Sequence, residues 1–209
     1  MMKKINWNFI TFTCLLCLMP ICLGMYFYEE LPDTMAIHFN IENQADNWAS
    51  KNFTLFAIPI IMAALQAFCC IISDINENKK GNPPKFVKIM KWFIPIITAI
   101  IYILIILVGL GKTVDIGKII SIVLGLTFMI MGNYMPKMTY EDAKGNIHPM
   151  PKTENGFKKM IRTLGYTFVI SGILIIASMF ISNKVAFITI LAMCFIVFIE
   201  GLYFSFKWN

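Results

Sequence analysis

The sequence predicts an all-α polytopic membrane protein of six transmembrane helices, and three observations support this. The 209 residues are 58% hydrophobic and only 14% charged, with a mean hydropathy of +0.70. Six stretches of about 20 residues carry at most one charge each, which is enough to span a bilayer as a helix. The Lys and Arg residues fall mainly in alternate loops. This composition excludes a disordered chain and a nucleic-acid-binding domain, and it disfavours a soluble enzyme.

The six predicted spans are separated by charged loops or by short polar turns. Five of them contain no charged residue, and the sixth contains only Glu200. The short connections after the third and fifth spans predict tight antiparallel helix pairs. The predicted spans cover residues 8–28, 53–73, 93–111, 119–136, 163–183 and 185–206.

The positive charges orient these helices, because loops rich in Lys and Arg stay in the cytoplasm. Of the 18 Lys and Arg residues, 14 lie at the termini and in the second and fourth loops, and 4 lie in the remaining loops. We therefore expect both termini in the cytoplasm and the loop 29–52 outside. This distribution also accounts for the net charge of +6 without any acidic partner.

Nothing in the sequence predicts a catalytic or metal site. The two histidines, His38 and His148, are expected on opposite sides of the membrane, so they cannot share a site. Cys14 and Cys17 have C-x-x-C spacing, but they lie inside an apolar span and are interpreted as small hydrophobic side chains. We expect no enzymatic activity, no cofactor, no metal and no nucleic-acid partner.

Two pairs of glycines predict close helix packing. Gly125 and Gly132 are seven residues apart, as are Gly165 and Gly172. Seven residues are about two helical turns, so each pair marks one face on which a neighbouring helix can approach closely.

The outer loop 29–52 carries five carboxylates and one lysine, a net charge of −4. A Pro-defined turn is followed by partial alternation up to Asn40 and then by turn-forming residues, which predicts a short extended or hairpin element. We expect Trp48 at the membrane interface. The basic fourth loop, 137–162, ends in the amphipathic segment 157–162, which is either a solvated part of the loop or a segment lying on the inner leaflet.

The outer loop resembles the N-terminal domain of unknown function found in the SdpI-like toxin immunity protein family. The shared pattern has the form L-P, then H-aromatic-N, then D-x-aromatic-x-S-K. Asn43 stands where that family has a glycine, and asparagine is the residue that best tolerates positive φ after glycine. The matching residues are Leu31, Pro32, His38, Phe39, Asn40, Asp46, Trp48, Ser50 and Lys51.

The second half of the chain is similar to the same family, less completely. The fourth span ends in the family's G-N-Y-M-P-K segment, and a basic motif follows about twenty residues later. In that second motif Phe157, Met160 and Ile161 replace Trp, Thr and His. The matching residues that we assign a structural role are Leu31, Pro32, Gly132, Asn133, Pro136, Lys159, Arg162, Gly165 and Gly172.

The resemblance implies a multi-pass protein of the bacterial cytoplasmic membrane that protects its producer against a secreted, membrane-active peptide toxin. It also implies a two-helix unit, 1–80, followed by a four-helix unit, 81–209. Besides membrane lipids, the implied partners are the toxin and a cytoplasmic regulator. We expect the toxin to contact a cluster in the outer loop, consisting of His38, Asn40, Asp46, Trp48 and Lys51.

Three alternatives to a toxin contact remain open. In the first, the outer-loop residues only brace the loop, with Asp46 capping a turn and Trp48 anchoring it. In the second, the protein is a sensor that recruits a cytoplasmic regulator through 137–162, and in the third it is a small transporter. For a transporter, Glu200 is the only ionisable residue within a predicted span, and Gln66 is expected to form a helix–helix hydrogen bond.

Overall fold

The computed structural model describes residues 5–80, 85–143 and 150–207. Within these ranges the fold is all-α apart from one two-stranded hairpin. Six helical segments are long and apolar enough to cross a membrane, which confirms the predicted class and the number of spans. The candidate spans are Trp7–Tyr26, Phe53–Asn76, Val87–Gly109, Ile116–Lys137, Glu154–Ser178 and Asn183–Lys207.

None of the first three spans is a single regular α-helix, and in the first span the interruption follows from its sequence. The first span is divided at Met19, because Pro20 has no backbone N–H and begins a new helix. The second span starts with one π-helical turn, Phe53–Ala57. The helices of these spans are α1 (Trp7–Leu18), α2 (Pro20–Tyr26), α3 (Ile58–Lys80), α4 (Lys85–Met90) and α5 (Phe93–Gly109).

A hairpin connects the first two spans. After a 3-10 turn, Tyr28–Glu30, strand β1 (Thr34–Phe39) pairs antiparallel with strand β2 (Ala45–Ser50). The register is irregular on both sides of His38, as in a β-bulge. The prediction of a small hairpin in this loop is confirmed, and its second strand is the segment that contains Trp48.

The last three spans are formed by long helices. The sequence predicts that the fifth span starts at residue 163, but the helix starts nine residues earlier. The helix begins at Glu154, where the Thr153 hydroxyl accepts a hydrogen bond from the Gly156 N–H at 3.1 Å. The segment 157–162 is therefore neither a solvated loop nor a separate segment on the leaflet, because it forms the first turns of that helix. The helices are α6 (Ile116–Tyr134), α7 (Tyr140–Ala143), α8 (Glu154–Ser178) and α9 (Asn183–Lys207).

The chain groups into two compact units. The first unit comprises Met1–Asn82 and Val87–Ile116, and the second comprises Gly117–Asn209 with Pro83–Phe86. Within the first unit, α5 packs against α1 and α3. The division into 1–80 and 81–209 implied by the family resemblance remains a prediction.

The glycine pairs of the second unit lie on closely packed helix faces, as their spacing predicts, and the two pairs face each other. A Cβ atom on Gly125 would lie 2.7 Å from the carbonyl oxygen of Gly172, and one on Gly132 would lie 2.5 Å from that of Gly165. Helices α6 and α8 are therefore too close at these two levels to accept any larger residue without moving apart.

Candidate functional site

The hairpin presents one polar and aromatic face, formed by His38, Asp46 and Trp48. His38 Nδ1 lies 2.5 Å from Asp46 Oδ1 across the two strands. The side chains of His38 and Asp46 are 66% and 42% exposed, and Trp48 is 55% exposed. Residues 46 and 48 share one face of β2 because side chains alternate along a strand. We call these three residues the outer face of the hairpin.

Asn40 closes the turn between the two strands. Its side-chain oxygen accepts hydrogen bonds from the N–H groups of Glu42 (2.9 Å) and Gln44 (3.0 Å). The suggestion that Asp46 caps a turn is wrong, because Asn40 has that role and Asp46 pairs with His38. Asn43 has a φ of +63°, so the expectation that asparagine replaces a glycine at a left-handed position is confirmed.

Asn43 also ties the turn to Val114 and Ile116 of the same unit, two contacts that sequence reasoning missed. Its Nδ2 donates to the carbonyl oxygen of Val114 at 3.0 Å, and its Oδ1 accepts from the N–H of Ile116 at 2.8 Å. Ile116 is the first residue of α6, so the amide satisfies one of the free N–H groups at that helix end. A glycine at position 43 cannot make either contact.

The opposite side of the hairpin is anchored in the apolar core of the first unit. Leu31 is 4% exposed and Met35 is 1% exposed, and both pack in a cluster with Leu55, Tyr102 and Ile106. A Cβ atom on Gly109 would lie 2.7 Å from Leu31 Cδ2. The exposed Pro32 follows Leu31, and the chain returns to this core at Met35.

Lys51 also helps to hold this side of the hairpin in place. Its side chain is only 13% exposed, and its Nζ donates to the carbonyl oxygen of Tyr28 at 3.1 Å. The ammonium also lies 3.6 Å from Asp33 Oδ1 and 4.7 Å from the centre of the Tyr28 ring. Of the five residues predicted to contact a toxin, three form the outer face. The other two hold the hairpin in shape, because Asn40 closes its turn and Lys51 fixes its base to Tyr28. The binding role of all five remains a prediction.

In the second unit, the three positions that depart from the family motif are buried together. Phe157 is 0%, Met160 is 3% and Ile161 is 4% exposed. They form one apolar cluster with Ala143, and the Phe157 ring stacks edge-on to Tyr140 with centroids 5.7 Å apart. The three replacements are compatible with one another, because each places an apolar side chain in the same buried cluster. Their burial leaves them little surface for a partner to contact.

A buried ion pair lies among the first three spans and was missed from the sequence. Lys91 Nζ lies 2.6 Å from Asp74 Oδ1, with the two side chains 12% and 11% exposed. Asp74 also accepts the N–H of Asn6 at 2.9 Å, and Gln66 donates to the carbonyl oxygen of Lys91 at 2.8 Å. Gln66 was expected to join two helices, and it instead joins α3 to the non-helical break between α4 and α5 in the third span. The expectation that Glu200 is the only ionisable residue within the spans is wrong, since Asp74 and Lys91 belong to spanning segments.

Glu200 is held by helix α8 of its own unit. The Thr167 hydroxyl donates to Glu200 Oε1 at 2.9 Å, and Glu200 Oε2 is buried with no hydrogen-bond partner. A buried carboxylate oxygen without a partner is costly in its charged form. Unlike the paired Asp74 and Lys91, Glu200 has a carboxylate oxygen without a hydrogen-bond partner, and this favours ion or proton chemistry within its span.

One family model matches the chain. It is described as a domain of unknown function (DUF1648), and it covers residues 15–63. The matched segment contains the second half of the first span, the whole hairpin and the start of the second span. No curated protein is significantly similar to the chain. No solved structure is significantly similar either.

Proposed function

We propose that this protein is an integral membrane immunity protein of a bacterial cytoplasmic membrane, and that the hairpin binds a membrane-active peptide toxin from outside. The observation that carries the proposal is the outer face, an exposed carboxylate and imidazole beside an exposed tryptophan on a firmly anchored hairpin. A membrane-active peptide is typically cationic and amphipathic, and this face offers it both a charge partner and an aromatic contact.

The charge of the hairpin region supports the same partner. With five carboxylates and one lysine, residues 29–52 have a net charge of −4, whereas the whole chain has +6. Lys51, the one cation, is turned inward against Tyr28 and Asp33. An approaching cationic peptide therefore meets carboxylates first, within a Debye length of about 8 Å at physiological salt. The proposed orientation, with both termini in the cytoplasm, places this charge on the side from which a secreted toxin arrives.

The test is survival of a toxin-sensitive bacterium that lacks its own immunity genes. The chain is expressed in that strain and challenged with a panel of secreted peptide toxins, beginning with any encoded beside its gene. The proposal predicts protection against one peptide, with no protection by a form in which residues 34–50 are replaced by a Gly/Ser linker. If the chain is present in the membrane and no peptide is resisted, the proposal is wrong.

A small transporter is the second candidate, favoured only by the buried Glu200 carboxylate. In that case, purified protein in liposomes produces a proton- or ion-driven flux, and Glu200→Gln abolishes it while leaving the Thr167 contact possible. A flux that Glu200→Gln leaves unchanged would exclude this role for Glu200. A sensor that recruits a regulator is less favoured, because the altered motif residues are buried in the second unit.

A further inference from the structure

The two family-motif segments of the second unit converge on one basic pocket. It has a volume of about 550 Å³ and lies where the end of α6 meets the first turns of α8. Pro136 and Lys137 come from the first motif, and Arg162 comes from the second. The lining residues are Pro136, Lys137, Met138, Thr139, Glu154, Lys158, Ile161, Arg162 and Tyr166. The two motifs lie about twenty residues apart in the chain, and their sequence alone predicts no shared site.

The pocket is electropositive, and tyrosines hold two of its three cations in place. Lys137 Nζ lies 3.9 Å above the centre of the Tyr134 ring. Arg162 Nε lies 3.4 Å from the Tyr166 hydroxyl. Both cations remain exposed to a ligand, although each is restrained by its aromatic neighbour. A guanidinium and an ammonium that converge on one cavity are suited to the oxygens of a phosphate group.

The third cation, Lys158, is paired with Glu154, the one carboxylate among the described residues that line the pocket. Its Nζ lies 2.7 Å from Glu154 Oε1, and the two side chains are 67% and 62% exposed. Exposed pairs of this kind are weak. A phosphate group that enters the pocket therefore competes with Glu154 for Lys158 at little cost.

The surroundings of the pocket favour a lipid over a soluble phosphate. Arg162 is the last charged residue before the uncharged stretch of α8, so the pocket lies at the depth of lipid headgroups. Beyond it, Tyr166, Ile170 and Ile173 follow one another at helical spacing, and each is more than half exposed. This apolar stripe leads away from the pocket along the helix, as an acyl chain would if its headgroup filled the pocket.

We propose that this pocket binds the phosphate headgroup of an anionic phospholipid, with Lys137, Arg162 and Lys158 as its ligands and the stripe from Tyr166 to Ile173 against an acyl chain. The site is independent of the toxin contact proposed above, because every residue in it belongs to the second unit.

Native mass spectrometry of the detergent-solubilised full chain tests this proposal. The chain is titrated with phosphatidylglycerol and, separately, with phosphatidylcholine of the same acyl chains. The double variant Lys137→Gln with Arg162→Gln is expected to weaken the tightest phosphatidylglycerol site by roughly tenfold or more, because each cation near a lipid surface contributes substantially to anion binding. Binding of phosphatidylcholine is expected to be weak and unchanged.

The matched control is Lys88→Gln with Lys207→Gln. It removes the same charge from exposed positions outside the pocket, and Lys207 also lies over a tyrosine ring, 5.1 Å from the centre of Tyr203. This control is expected to change the dissociation constant less than about twofold. Glu154→Gln is expected to tighten binding, because it frees Lys158. Equal losses in both double variants, or no loss in either, would overturn the proposal.

Two further probes identify the source of the phosphate. Glycerol 1-phosphate is expected to compete with phosphatidylglycerol only weakly, because it lacks the acyl chains. If it binds as tightly as the lipid does, the lipid assignment is wrong. If poly-glutamate binds as tightly as phosphatidylglycerol and loses binding in the same double variant, the pocket instead recognises an acidic protein segment, which also overturns the proposal.

Discussion

The two sides of the hairpin differ in what their side chains contact, and this difference separates a candidate function from the scaffold that carries it. On the anchored side, Leu31 and Met35 are buried and Lys51 is mostly covered by groups from the first unit. On the outer face, His38 and Asp46 contact each other, and Trp48 is 55% exposed. The sequence motif mixes both groups, so motif membership alone does not identify a binding residue. The predictions below test the distinction from the largest expected effect to the smallest.

The largest difference in the free energy of unfolding is expected between the variants Met35→Ala and Trp48→Ala. Met35 is 1% exposed, so its truncation leaves a cavity and should lower the free energy of unfolding by about 2–5 kcal/mol. Trp48→Ala should change it by less than about 0.5 kcal/mol. Thermal unfolding of the two variants in one detergent measures both. Equal destabilisation would mean that Trp48 belongs to the scaffold.

Lys51→Met should destabilise the first unit by about 1–3 kcal/mol. The methionine fills the same space, but it removes a hydrogen bond from a charged donor to the carbonyl oxygen of Tyr28. Lys112→Met is the matched control, since Lys112 is exposed in the same unit. The same unfolding measurement applies, and an equal shift in both variants would show that charge alone is responsible.

Substitution of Asn43 separates backbone strain from side-chain contacts. Asn43→Gly tolerates the φ of +63° but loses both contacts to the start of α6, so a loss of about 1 kcal/mol is expected. Asn43→Ala loses the same contacts and adds strain, which brings the loss to about 2 kcal/mol. We therefore expect the unfolding midpoint to be highest for the wild type, lower for Asn43→Gly and lowest for Asn43→Ala. If glycine is the most stable, the contacts to Val114 and Ile116 contribute nothing.

The smallest effect is expected for His38→Gln. The His38–Asp46 pair is solvent-exposed, and exposed pairs contribute little to stability. No measurable change in the unfolding midpoint is expected at low or high salt. A clear destabilisation would assign the outer face to the scaffold and weaken the proposed toxin contact.

Much of this architecture could be predicted because the bilayer imposes simple rules. The lengths of the apolar stretches predicted the six helices, and the seven-residue glycine spacing predicted the faces on which helices pack closely. That these two faces pack on each other was not predicted. The hairpin was predictable from its alternation and its turn residues. Each of these features depends on local sequence, so a single chain is sufficient to find it.

The features that were missed depend on pairings between distant segments. Asp74 and Lys91 were interpreted as the ends of a loop because each is a charged residue beside an apolar stretch, and only packing shows that they neutralise each other. The contacts from Asn43 to the start of α6 join residues more than 70 positions apart. Helix α8 was placed too late because charged residues at its start were taken as a helix boundary, although its buried apolar residues continue the helix.

The central claim, that the outer face of the hairpin contacts the toxin, is tested most directly by protection in cells. The double variant Asp46→Ala with Trp48→Ala removes one exposed carboxylate and one exposed aromatic ring from that face. Its matched control is Glu29→Ala with Tyr26→Ala, which removes the same two kinds of group from exposed positions outside the strands. With equal amounts of protein in the membrane, we predict that the first variant loses protection against the cognate peptide and the control retains it. Full protection by the first variant would contradict the account.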